Sequence, residues 1–159
     1  MKISLKPVLV LILLAMCGAS SMRSSAPTFS LTLEAEENPV KAASEVKVDI
    51  TLHNSSNRAM QINYGLSELD YAFEVRDSQN RIPEKTEFAR KSKGRTHFSG
   101  DQTFYLQPGE SLPKAPLVLS KFYDLSRAGK YSIQVTRSVP KELGGGVVKS
   151  NVIIITVEN

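Results

Sequence analysis

Residues 46 to 53 alternate strictly, with Val46, Val48, Ile50 and Leu52 set against Lys47, Asp49, Thr51 and His53. A period of two sorts the side chains onto opposite faces of an extended chain and makes no stripe on a helix. The segment is therefore a half-buried strand, and whatever it folds into must supply a second layer to cover the apolar face. The same pattern returns twice. Tyr71, Phe73 and Val75 alternate with Ala72, Glu74 and Arg76, and Tyr131, Ile133 and Val135 alternate with Ser132, Gln134 and Thr136. Beyond the N-terminal segment no window of similar length reads as an amphipathic helix, so an all-β domain is expected.

Turn-forming residues divide the remainder into short strands. Glu37-Asn38-Pro39 separates a first strand, Phe29 to Ala35, from the one that begins near Glu45. Asn54-Ser55-Ser56-Asn57 closes that second strand, and a shorter one follows from Ala59 to Tyr64. Asp77-Ser78-Gln79-Asn80 ends the strand begun at Tyr71. Pro108-Gly109 suits a type II turn, with proline fixing φ and glycine supplying the positive φ, ahead of a strand from Leu112 to Leu119. Gly129 precedes the Tyr131 strand, and Gly144-Gly145-Gly146 precedes a last strand from Val147 to Val157. Seven or eight strands over residues 29–159 predict a two-sheet antiparallel β-sandwich.

The last strand breaks the alternation, because Val152, Ile153, Ile154, Ile155 and Val157 are apolar on both faces. Either both faces are buried, with a loop over the outer one, or an exposed strip docks a partner by strand addition. An exposed strand of that composition is an aggregation hazard, so burial on both faces is expected.

The N-terminus has a different character. Lys2 and Lys6 precede an apolar run from Val8 to Met16, and small residues follow at Gly18, Ala19, Ser20 and Ser21. This is the layout of a secretory signal peptide over residues 1–19, with residues 20–28 as a flexible leader. The run is about half of the ~20 residues that a membrane-spanning helix needs, so no transmembrane span is expected. Cys17, the only cysteine, has two readings. Cleavage after Ala19 would remove it, or Leu14-Ala15-Met16-Cys17 would act as a bacterial lipobox and Cys17 would carry a lipid. Met16 departs from the lipobox pattern, which favours simple cleavage. Contact with a membrane is expected only if Cys17 is lipidated. The destination is the periplasm, the extracellular space or, with a lipid, the envelope surface.

The net charge of +4 includes Lys2 and Lys6; without them 18 basic residues face 16 acidic ones. That balance gives no footprint for nucleic acid. Nucleophilic catalysis needs an oriented base, and His53 and His97 are the only imidazoles. Two distant histidines cannot make a zinc site, and neither Glu34/Glu36/Glu37 nor Glu68/Asp70 has the spacing of a calcium loop. A non-catalytic domain without metal or cofactor is expected. The long stretch from Arg81 to Gln107 carries Arg90, Lys91, Lys93 and Arg95 within six positions, followed by His97 and Phe98. Connections of this length are often binding loops, which makes these four cations the candidate contact residues for another protein or an envelope glycan. The other reading, supported by the flanking Glu84, Glu87 and Asp101, is an ordinary solvated connection containing a short strand.

Several of these signals occur in an order that resembles the immunoglobulin-like domains of bacterial envelope and secreted proteins. They are Glu45 to Leu52 ending in His53-Asn54-Ser55-Ser56, Phe73 to Asp77, Leu106-Gln107-Pro108-Gly109-Glu110-Ser111, and Leu125 to Tyr131. The order is also similar to that of the BsuPI-type proteinase-inhibitor domain, itself such a sandwich. The resemblance implies an immunoglobulin-like fold in which Tyr131 stands where those folds keep a tyrosine corner. It differs from antibody domains in having no tryptophan and no cysteine pair. It implies an exported binding domain or, as the alternative, a proteinase inhibitor, for which the chain shows no reactive-loop signature.

Overall fold

The computed structural model describes residues 28–63, 71–91, 103–112, 115–138 and 146–159. Signal segment and Cys17, together with Lys93, Arg95 and His97, lie outside the described residues. Each alternating segment forms the strand that its pattern predicts. In chain order these are β1 (Phe29–Ala35), β2 (Val40–Lys41), β3 (Lys47–Asn54), β4 (Met60–Asn63) and β5 (Tyr71–Asp77), then β6 (Thr103–Leu106), β7 (Ala115–Val118), β8 (Gly129–Ser138), β9 (Val147–Lys149) and β10 (Ile153–Glu158). A short helix α1 (Glu87–Lys91) and a 3-10 turn at Leu119–Lys121 interrupt them.

Two larger sheets form, one in the order β1-β3-β7 and the other in the order β2-β10-β8-β5, with β9 also on β8. A small β4-β6 pair stands beside them. The pairings are antiparallel, apart from β2, which runs parallel to β10. Register follows the apolar pattern: Leu31 faces Leu52 and Leu33 faces Ile50 in one sheet, while Val75 and Ile153 flank Ile133 in the other. The inward sets of the two sheets share one core, sandwich-like, in which Val48, Ile133 and Val135 have no exposed surface. A one-residue slip in any of these strands would turn its apolar set to water, so the pattern that forms the strands also fixes how they pair.

The turn expected at Pro108-Gly109 forms, and the Tyr131 side chain is anchored close by in sequence. Gly109 has φ +80 in a turn where the Glu110 N–H donates to the Gln107 carbonyl at 3.0 Å. The Tyr131 ring is buried to 5 % exposure, and its hydroxyl donates to the carbonyl of Arg127, four residues upstream, at 2.8 Å.

The last strand departs from expectation in two ways. It is split into β9 and β10, which lie along the same edge of β8. At the break Ser150 keeps hold of Val135 through its own N–H (2.8 Å) and through Oγ, which accepts the Val135 N–H (3.0 Å). Residues 151 and 152 are left out of the ladder, and a local disruption of this kind bends a strand. Burial on both faces is also overturned: Ile155 and Val157 are buried, but Val152 is 58 % and Ile154 49 % exposed. The split and the two-residue β2 bring the described strands to ten, above the seven or eight expected. The stretch from Arg81 to Gln107 contains a short strand, β6, as expected, and in addition the helix α1.

Candidate binding groove

Three segments distant in sequence meet at an open groove of about 550 Å³. They are residues 43–45 between β2 and β3, residues 84–90 leading into and through α1, and residues 120–126 after β7. Backbone hydrogen bonds join them. The Thr86 N–H donates to the Phe122 carbonyl at 3.1 Å, and the Asp124 N–H donates to the Glu84 carbonyl at 2.8 Å. On the other side Leu119 N–H reaches the Val46 carbonyl at 2.8 Å, and Val46 N–H reaches Ser120 Oγ at 3.2 Å.

Thr86 organises the second segment. Its Oγ1 accepts the Ala89 N–H at 3.2 Å, which caps α1, and also donates to the Lys121 carbonyl. Phe88 packs edge-on against Phe122 with ring centroids 5.5 Å apart. The result is a short helix tied at its start to the chain that it faces.

The lining carries both signs of charge, with Glu45, Glu84 and Asp124 beside Lys85 and Arg90. Arg90 is pinned by one arm, Nη1 donating to the Lys85 carbonyl at 2.7 Å. Glu45 lies 3.6 Å from Lys47 Nζ. Hydrogen bonds from the Ser126 hydroxyl and N–H hold the Asp124 carboxyl below its ordinary value. Burial pushes the Tyr123 hydroxyl above its ordinary value, and that hydroxyl donates to the Phe73 carbonyl at 2.9 Å. The groove presents fixed charges and hydroxyls, a surface suited to recognition.

Of the four cations singled out in the sequence, Arg90 lines this groove. Lys91 does not; it pairs with Glu87 one turn back on α1, Nζ to Oε1 at 2.6 Å. Lys93 and Arg95 lie outside the described residues. His53 is not an isolated imidazole: its Nδ1 is 3.0 Å from the hydroxyl of Ser111, across the bridge between β3 and the chain that leaves the Pro108-Gly109 turn. That pair is exposed on a strand surface, and His53 and Ser111 are the two side chains it consists of. Among the described residues no group of acidic, histidine or cysteine side chains is placed to hold a metal ion.

Sequence reasoning missed most of the lining, although two local signals were present. Thr86 ahead of Glu87 is a helix-start signature, and Asp124-Leu125-Ser126 is the spacing of an Asx turn. Neither signal says that the two segments meet. No protein-family model matches the chain, and no curated protein matches it in sequence.

Proposed function

We propose that this chain is an exported, non-catalytic binding domain on an immunoglobulin-like scaffold, and that the groove is where it contacts a protein partner. The observation that carries this reading is the groove itself: three loops at one place, Arg90 among them, with charges of both signs held ready by the fold. The acidic residues Glu45, Glu84 and Asp124 oppose a uniformly anionic partner such as an acidic glycan or lipid headgroups. A protein surface offers both signs and can answer both.

The scaffold reading has its own support. The sheet order β1-β3-β7 against β5-β8-β10 corresponds to the A-B-E and C-F-G orders of immunoglobulin-like sandwiches. On that correspondence Tyr131 falls near the start of strand F, and its hydroxyl bonds back to the upstream backbone as a tyrosine corner does. Ile133 then stands where antibody domains keep their second cysteine, and a fully buried aliphatic takes the place of the disulfide. Export rests on the layout of residues 1–19; mass spectrometry of the mature protein tests it, with Ser20 first after simple cleavage or a lipidated Cys17 first after anchoring.

With the partner identified by crosslinking in intact cells, the variant carrying Lys85→Glu and Arg90→Glu should bind it at least about tenfold more weakly, the loss of one to two charge contacts. Lys91→Glu, outside the groove, should bind as the wild type does. Equal binding by all three proteins contradicts the assignment. A panel of proteases separates the narrower inhibitor function, which demands stoichiometric loss of protease activity.

A further inference from the structure

The end of the chain is its most self-adhesive segment. Residues 152–157 hold five aliphatic side chains, no charge and no proline, the composition of strands that pair with copies of themselves. In the fold β10 has β8 along one edge. Along the other, β2 covers only its end, through Val157 and Glu158. The stretch before that is closed by a side chain. Asn38 Nδ2 donates to the Ile154 carbonyl at 2.8 Å, and Oδ1 accepts the Thr156 N–H at 2.9 Å. One amide donating to residue i and accepting from residue i+2 reproduces what a parallel strand residue would do, and β2 continues from it in the parallel sense.

We infer that Asn38 guards this edge against a second copy of the same chain, which would add antiparallel, β10 to β10. Ile154 and Thr156 present their backbone groups outward, where Asn38 meets them. In an antiparallel pair with Ile154 of one copy opposite Thr156 of the other, those same groups bond each other twice over. The exposed Ile154 side chains of the two copies then lie diagonally beside each other. The domain uses the same device internally, where Asn151 clamps Leu33 of β1 through its N–H (2.8 Å) and its carbonyl (2.9 Å). There the clamp joins the two sheets; at Asn38 it faces outward.

Light scattering on the purified protein over a range of concentrations tests the inference. Wild type should remain monomeric, while Asn38→Ala, with an unchanged circular dichroism spectrum, should shift to dimers or larger species. Asn38→Asp should do the same at neutral pH, because a carboxylate cannot donate to the Ile154 carbonyl. Adding Ile154→Lys to Asn38→Ala should restore the monomer. A folded Asn38→Ala that stays monomeric overturns the inference, as does wild-type association that Ile154→Lys leaves intact. Should Asn38→Ala fail to fold, hydrogen exchange on the wild type decides: slow exchange at the Thr156 amide supports the guard, and exchange at the rate of an open edge overturns it.

Discussion

Asn54 has no exposed surface, yet its side chain is polar throughout. Its Nδ2 donates to the carbonyls of Arg58 (2.9 Å) and Leu106 (2.8 Å), while Oδ1 accepts the N–H (2.9 Å) and the hydroxyl (2.7 Å) of Ser56. That leaves none of its capacity idle, and it ties the end of β3 to β6. Asn54→Ala removes a donor from the buried Leu106 carbonyl and the acceptor of the Ser56 N–H, so urea unfolding should show a loss of about 2–3 kcal/mol. Tyr131→Phe keeps the ring and removes one hydrogen bond, so the same measurement should show about 1 kcal/mol. The two residues were not equally legible. Tyr131 opens an alternating strand after a glycine, and that local pattern announces a buried ring with a hydroxyl reaching for backbone. Asn54 reads as one more turn former, because its decisive partner, Leu106, is 52 residues away.

Elements were readable wherever one face is buried and the other wet. The strict alternation from Val46 to Leu52, and the shorter ones at Tyr71 and Tyr131, announced strand and buried face together, while which strands pair emerged only in the fold. The break at Ser150 was not readable, since it depends on what Val135 and Leu31 offer from other strands. Nor was β2, whose two residues are a strand only because β10 lies beside them. The turn after β5 was expected, and its chemistry yields a pH dependence. Asp77 is held below its ordinary value of 3.8, first by the Arg81 N–H and then by the Arg81 guanidinium and the Gln79 N–H. The carboxyls of Asp124 and Glu74 are lowered too, the former by Ser126 and the latter by Arg76. A lowered folded-state value means that the unfolded chain binds the proton more tightly. The contribution of these groups is therefore complete above their ordinary values of 3.8 and 4.5 and is lost as pH falls through the lowered ones. The urea midpoint should drop as pH falls below 4.5, and less steeply in Asp77→Asn. Glu74 is exposed and owes part of its lowering to the Arg76 charge, so added salt should flatten its share of the profile.

The molecule as a whole places its chemistry where no single segment announces it. The groove takes residues from 43–45, 84–90 and 120–126, and only the packing of the sandwich brings those together. The sequence flagged a cluster of cations by their density; the fold selects Arg90 for the groove and turns Lys91 to Glu87. Charge density along a chain is a property of neighbours in sequence, whereas a groove is a property of neighbours in space. The core is more forgiving to read, since any apolar residue in phase with its strand ends in it. Ile133 lies in that core with no exposed surface between β5 and β10, so Ile133→Ala should cost about 2–5 kcal/mol in urea unfolding.

The most direct test of the binding reading is a map of photo-crosslinks in intact cells, made with a photoreactive residue placed singly at Ser44, Thr86 and Ser126, which line the groove, and at Ser132 and Thr136, which do not. A discrete protein adduct is expected from the groove positions and none from the two strand positions. Adducts confined to Ser132 and Thr136, on the outer face of β8, would contradict it.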